Sequence, residues 1–119
     1  MKLAGKILET SRPAVSVKDF SRQEIIDFLK TKLADRGVQA AFIFGSVARE
    51  RARYWSDIDV LIVKQTTQPF VERGREFIDL FDLGLAVDIL VYTPAEFHAM
   101  KQEPSPFWRQ IEESLVRIC

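Results

Sequence analysis

The chain has 119 residues, enough for one hydrophobic core, and we expect a single domain over residues 1–119 with an N-terminal arm over residues 1–20. Hydrophobic residues make up 47% of the chain and charged residues 29%, which is typical of a globular protein. The sequence has no apolar run of the ~18 residues that a membrane span needs. It also begins without the apolar segment of a signal peptide. We therefore expect a cytoplasmic protein with no membrane partner.

The charges of the chain balance, with 17 Lys and Arg residues against 17 Asp and Glu residues. Proteins that grip long nucleic acids usually carry a basic excess that neutralises phosphates, so we expect no long nucleic acid as partner. His98 and Cys119 are the only residues of their types. Zinc chemistry and histidine-base chemistry therefore have almost no residues to use, and carboxylates must carry any catalysis.

Predicted helices and strands alternate along the chain. Ser21 and Glu24 form a capping box that starts a helix, and Gly37 is expected to end it in a left-handed conformation. Thr93 and Glu96 form a second capping box. The other predicted elements are, in order, a strand over 40–44, a short helix over 47–53, a strand over 57–63, a helix over 69–81, a strand over 85–92, a helix over 105–115 and a strand over 116–118. This order predicts an α/β or α+β fold, a small mixed β-sheet covered by helices.

Aspartates interrupt two strands that are otherwise almost entirely apolar. Asp57 and Asp59 are two residues apart, so their side chains should share one face of a strand, and Asp88 interrupts the next strand. Neighbouring carboxylates at the edge of a core repel each other unless a cation joins them. Oxygen ligands favour Mg²⁺ or Mn²⁺. The alternative is structural: Asp57 caps the strand and Asp88 pairs with an arginine.

Gly45 and Ser46 stand at a predicted strand-to-helix turn, where glycine allows a ligand to approach the backbone closely. The serine hydroxyl and the amides of the following helix can hold a phosphate. Arg49 and Arg53 could lean towards a triphosphate, whereas Arg51 is interpreted as part of a solvated face. The sequence also contains two aromatic pairs. Tyr54 and Trp55 could stack on a base or pack against the loop, and Phe107 and Trp108 are interpreted as core or partner-interface residues.

The segment GSVARERARYWSDIDVLIV, followed by VDILVY, resembles the nucleotidyltransferase superfamily with a polymerase β-like catalytic core. It is most similar to the minimal (MNT) branch, whose members are often encoded beside a HEPN-domain partner, and the resemblance covers roughly residues 21–115. It implies that Gly45 and Ser46 hold the triphosphate of ATP. It also implies that Asp57 and Asp59 bind two Mg²⁺ ions, or Mn²⁺, while Asp88 completes the second metal site and helps to activate the attacking hydroxyl.

The resemblance further implies an Mg-dependent transfer of AMP from ATP to a hydroxyl, on a HEPN-type toxin for which this chain acts as antitoxin. A homo- or hetero-oligomer would fit this function. The alternatives are a non-catalytic antitoxin that occludes its partner and, ranked lower, modification of a small molecule such as an antibiotic. Glu50 departs from the family pattern, in which glycine is common, and we expect either that the short helix runs on or that turnover is less efficient.

Overall fold

The computed structural model describes residues 13–119, so most of the predicted N-terminal arm lies outside the described residues. Within the arm, a 3-10 turn spans Val17–Asp19 and is capped by Ser16. The Ser16 hydroxyl donates a hydrogen bond of 2.8 Å to the carbonyl oxygen of Tyr54. This bond ties the arm to the loop that precedes the aspartate-bearing strand.

The helices and strands follow the predicted order. They are α1 (Arg22–Leu33), β1 (Ala40–Phe44), α2 (Gly45–Ala48), β2 (Ile58–Val63), a 3-10 segment (Phe70–Leu83), β3 (Val87–Tyr92), α3 (Pro94–Gln102), α4 (Pro106–Glu112) and β4 (Val116–Arg117). The four strands form one mixed sheet in the order β3-β2-β1-β4. Strand β1 is antiparallel to β2 and β4, whereas β2 and β3 are parallel. The predicted small mixed sheet covered by helices is confirmed.

Side-chain caps begin the helices where the sequence places them. The hydroxyls of Ser21 and Thr93 accept hydrogen bonds from the backbone N–H groups of Glu24 and Glu96, and both capping boxes are complete. Ser105 caps α4 in the same way. Each cap satisfies an N–H group that the first helical turn leaves without a partner. In the part of the chain from residue 13 onward, no helix is long and apolar enough to cross a membrane.

Both faces of the sheet are packed, because successive side chains of a strand point to opposite faces. The first core lies under α1 and the 3-10 segment and includes Ile25, Leu29, Ile43, Val60, Ile62, Phe77 and Leu80. The second core lies under α4 and consists of Phe42, Leu61, Val63, Trp108 and Ile111. Such two-sided packing explains why the central strands are nearly continuous apolar runs.

The cover on the second face is incomplete. Asp59 follows the same alternation as Leu61 and Val63, so it lies on the face that α4 covers. Asp59 is nevertheless half-buried and Asp88 is exposed, because both lie near the start of their strands, beyond the apolar residues of the second core. This end of the sheet is therefore where polar side chains reach solvent.

Several helices differ from the prediction: the helix expected over 69–81 is a 3-10 segment, the one expected over 105–115 ends at Glu112, and the ends of α1 and α2 differ for a backbone reason. Helix α1 ends at Leu33, because Asp35 already adopts a left-handed conformation with φ of 59°, and Gly37, also left-handed, lies in the following turn. The second difference concerns α2, which was expected over 47–53. It spans Gly45–Ala48, since Glu50 adopts a left-handed φ of 56° and the chain leaves the helix there. The expectation that the helix runs on through Glu50 is wrong.

The first prediction concerns the backbone strain at Glu50. The free energy of unfolding should be about 1 kcal/mol larger for Glu50→Gly than for Glu50→Ala, because only glycine adopts a left-handed conformation without a steric penalty. Both variants lose the same exposed contact between Glu50 and Arg22, of 3.8 Å. Urea unfolding measures the difference.

A matched control is the same pair of substitutions at Lys30, which is exposed in the interior of helix α1. There the order should reverse, with alanine more stable by about 1 kcal/mol, because glycine weakens a helix. An alanine variant at least as stable as the glycine variant at position 50 would contradict the assignment of strain to Glu50.

Candidate functional site

The turn at Gly45 is built around the side chain of Asp59. Gly45 has a left-handed φ of 75°, and a Cβ at this position would collide with Oδ2 of Asp59 and lie 3.3 Å from its Cγ. Glycine is thus required for two reasons, the backbone conformation and the space. The sequence predicts that a ligand approaches this turn closely. In the structure, the group that approaches it is the carboxylate of Asp59.

Strand pairing brings the acidic residues to this turn. Asp59 is the register partner of Phe44 in the antiparallel pair, so it lies beside the residue that precedes Gly45. On its other side, Asp59 is the register partner of Asp88 in the parallel pair. Asp57 precedes β2, which begins one residue later than predicted. The sheet therefore places the Gly-Ser turn and two of the three aspartates at one end of adjacent strands.

The ionised form of Asp59 is disfavoured. Burial, and then the negative charges of Asp88 and Asp57, raise the pKa of the Asp59 carboxyl from 3.8 to about 6. Among residues 13–119, none of the three carboxylates forms an ion pair with Lys, Arg or His. The alternative in which Asp88 pairs with an arginine therefore finds no support in this part of the chain.

The three aspartates do not form a ready-made metal site. In the described part of the chain, no group of three or more His, Cys, Asp and Glu side chains is arranged to hold a metal ion. Asp57 and Asp88 are exposed, and Asp59 is half-buried. A divalent ion here would need additional oxygen ligands, and the predicted two-metal role of these residues stays a prediction.

A cleft of about 560 Å³ opens beside Asp59. One wall contains the Gly-Ser turn and the basic residues that follow it: Phe44, Gly45, Ser46, Arg49, Arg51 and Asp59. The hydroxyl of Ser46 has no hydrogen-bond partner among residues 13–119, so it remains available to a ligand. This volume lies within the range of about 300–1,000 Å³ that small-molecule sites occupy.

The arginines differ in position. Arg49 lines the cleft, and its Nη2 lies 3.2 Å from Oε2 of Glu113. Both side chains are exposed, so this ion pair is weak and an anionic ligand can replace Glu113. Arg51, interpreted from the sequence as solvated, also lines the cleft, whereas Arg53 is exposed and does not. The predicted role of Arg53 in nucleotide binding remains untested.

The second wall of the cleft comes from α4 and the turn after it, which sequence reasoning did not include in the site. It consists of Phe107, Gln110, Ile111, Glu113 and Ser114. Positions 107, 110, 111 and 114 are spaced as one helix face, which is the signal that could have revealed the wall. The Ser114 hydroxyl accepts a hydrogen bond of 2.8 Å from the N–H of Gly45 and joins the two walls. Gly45 therefore supplies space rather than a free N–H donor.

The two remaining aromatic residues of the loop lie elsewhere. Tyr54 and Trp55 are 38% and 64% exposed, and they border a separate pocket of about 220 Å³ next to Asp57. Trp108, in contrast, is buried in the second core, as expected for a core residue. Stacking on a base in the main cleft is thus not a role that the position of Tyr54 or Trp55 favours.

Comparisons with known proteins agree with this architecture. The family described as "Nucleotidyltransferase domain" matches residues 22–117. A structure assigned as a minimal nucleotidyltransferase is 26% identical, with a TM-score of 0.52 over 80% of this chain and 89% of that chain. A toxin-antitoxin structure with AMP-PNP is 19% identical, with a TM-score of 0.54 over 84% and 73% of the two chains. A protein of Sulfolobus solfataricus, assigned as a nucleotidyltransferase, is 20% identical, with a TM-score of 0.50 over 82% and 81%. No curated protein matches the sequence significantly.

The second prediction tests the contact between Gly45 and Asp59. Gly45→Ala should lower the unfolding free energy by more than Gly84→Ala. Both glycines have a positive φ, of 75° and 81°, so in both variants the left-handed conformation lowers the free energy of unfolding by about 1–2 kcal/mol. At Gly84 an added Cβ meets only Val15, at ordinary distances of 3.6 Å to Cγ2 and 3.8 Å to Cβ. Urea unfolding of both variants measures the difference.

The excess loss at Gly45 should disappear when the same substitution is made in an Asp59→Ala background, because the colliding carboxylate is then absent. Equal losses for the two glycines in the wild-type background would show that the collision does not contribute to stability.

The third prediction follows from the raised pKa of Asp59. Between pH 3.8 and about 6, Asp59 keeps its proton in the folded protein but has released it in the unfolded chain. The free energy of unfolding therefore falls as the pH rises through this window, and above it the ionised carboxylate of Asp59 destabilises the fold. Asp59→Asn should therefore raise the melting temperature in EDTA at about pH 8. The gain should shrink as the pH falls from about 6 towards 3.8.

Thermal unfolding over this pH range measures the effect, with Asp27→Asn as a control that removes the same charge from helix α1. A gain for Asp59→Asn that does not depend on pH, or a loss at high pH, would show that the Asp59 carboxylate is not destabilised in the fold.

Proposed function

The chain belongs to the nucleotidyltransferase domain family, and on this premise we propose that it transfers AMP from ATP to a hydroxyl group of a partner protein. The observation that carries the proposal is the half-buried Asp59 carboxylate, which lies against the Gly45 turn at the edge of the cleft and has no basic partner in residues 13–119. A carboxylate in this position is costly for the fold, and a nucleotide with its cation would offset that cost.

The chemistry of the donor set suits Mg²⁺. This ion keeps several waters and binds through one or two carboxylates together with substrate phosphates, rather than through a complete cage of protein ligands. Asp59 at the edge of the cleft, with Asp88 as its register partner and Asp57 two residues away, could supply one or two such carboxylates. When bound, divalent ions would neutralise the triphosphate and polarise the α-phosphate.

The cleft residues would orient the nucleotide. The hydroxyl of Ser46 and the amides of α2 after Gly45, whose own N–H is bonded to Ser114, are donors for phosphate oxygens. Arg49 and Arg51 line the same cleft and carry guanidinium groups that bind phosphate oxygens. Because Arg49 is held only by an exposed contact with Glu113, phosphate can displace the glutamate.

The proposed transfer of AMP is an in-line displacement at the α-phosphorus of ATP. The acceptor oxygen forms a bond to this phosphorus, while the bond from the phosphorus to the oxygen bridging to the β-phosphate breaks. Pyrophosphate leaves with the electron pair of that bond. The proton of the acceptor hydroxyl passes to a carboxylate, and the exposure of Asp88 next to Asp59 supports its role as the acceptor of that proton.

The acceptor that we propose is a HEPN-domain toxin, with this chain as its antitoxin in the cytoplasm. Two arguments support it: the resemblance of the sequence to minimal nucleotidyltransferases encoded beside HEPN partners, and the similar fold of a toxin-antitoxin protein whose structure contains AMP-PNP. Modification of the partner requires at least transient hetero-oligomer formation.

The fourth prediction is transfer of radiolabel from [α-³²P]ATP to the product of the adjacent gene in the presence of Mg²⁺. The double variant Asp57→Ala, Asp59→Ala should lose at least about 100-fold in rate, because the residues that stabilise charge in the transition state are removed. The variant Asp27→Ala serves as the control, since this residue lies in helix α1.

Equal labelling by the wild type and the double variant would contradict the proposed function. If the double variant transfers no label but still neutralises the partner, the chain acts by occlusion, and catalysis is not what silences the toxin.

A further inference from the structure

We infer that Phe107 forms the wall on which the nucleobase of the bound nucleoside triphosphate stacks. This inference rests on the nucleotide site proposed above and identifies its base-binding end. Phe107 lies in the same cleft as Gly45, Ser46 and the two arginines, but on the opposite wall. The cleft therefore offers phosphate-binding groups on one side and an aromatic ring on the other.

Buried contacts fix the position of helix α4, which carries Phe107. Trp108 and Ile111, which pack α4 on the sheet, are 1% and 3% exposed in the second core. The ring of Trp108 also packs edge-on against Phe97, with centroids 5.6 Å apart. The hydrogen bond from the N–H of Gly45 to Ser114 ties the end of this wall to the phosphate turn. The position of Phe107 relative to that turn is thus set by buried contacts.

The ring of Phe107 has an available surface. It is 53% exposed, and it contacts no other aromatic ring or cation among residues 13–119. Another exposed phenylalanine, Phe70, already packs against Tyr92 with centroids 5.2 Å apart. An aromatic ring left uncovered inside a cleft gains by stacking on a planar base, and any base suits it because every base has a π face.

The chemistry of the two walls matches the two ends of one ligand. Phosphate groups need cations and hydrogen-bond donors, which Arg49, Arg51 and Ser46 supply. A base needs an apolar, planar surface, which the ring of Phe107 supplies. The separation of these groups onto facing walls favours an extended nucleotide over a small anion.

The test compares two probes, ATP and inorganic tripolyphosphate, by titration calorimetry in Mg²⁺. Phe107→Ala should weaken ATP binding by at least about fivefold, because base stacking is lost, and should leave the affinity for tripolyphosphate unchanged. Phe107→Tyr retains an aromatic face and should bind ATP like the wild type. The matched control is Phe81→Ala, which removes a ring of 40% exposure outside the cleft.

The inference is overturned if Phe107→Ala binds ATP as tightly as the wild type, or if it loses affinity for ATP and tripolyphosphate equally, since the residue would then act only on the structure of the cleft. The first result can occur while the wild type still transfers AMP, so the proposed function would stand. Conversely, selective loss of ATP binding without AMP transfer by the wild type would uphold the base wall and reject the transfer. A wild type that binds neither probe overturns both.

Discussion

Asp59 lies on β2, the strand between β1 and β3, and its half-buried carboxylate has no neutralising base in residues 13–119. The arrangement of the site depends on this carboxylate. A Cβ at Gly45 would force this carboxylate to shift, and the left-handed φ of 75° independently favours glycine. Asp88 lies next to Asp59 through strand register, and their mutual repulsion adds to the effect of burial on the pKa of Asp59. The fold thus stores an electrostatic cost at the place where a cation and a phosphate would relieve it.

Because helices cover the second face of the sheet only in part, the carboxylate of Asp59 remains accessible from a cleft. Helix α4 packs on the second face through Trp108 and Ile111, next to Leu61 and Val63 of β2. It does not extend over Asp59, so a cleft remains between the helix and the Gly-Ser turn. The buried part of α4 gives the cleft a rigid wall, and the exposed part presents side chains to a ligand. Helix α4 therefore has a buried face that packs on the sheet and an exposed face that lines the cleft.

Local sequence signals predicted the elements well and their ends less well. The capping boxes at Ser21 and Thr93 are complete, since cap and partner are only three residues apart and depend on no distant contact. The ends of α1 and α2 were misplaced because Asp35 and Glu50 adopt left-handed conformations that their residue types do not announce. Strain of this kind is imposed by the surrounding structure, so a pattern of residue types does not reveal it.

The sequence by itself determined the order of helices and strands, the Gly-Ser turn and the apolar strands that carry the aspartates, because alternation and spacing along the chain encode them directly. Only the tertiary structure decided what faces the turn. The bond between Gly45 and Ser114 joins residues 69 positions apart, and it selects α4 as the second wall. The same long-range packing places Arg51 rather than Arg53 in the cleft and exposes Phe107 to it. Contacts between distant segments depend on how the helices dock, which no local pattern specifies.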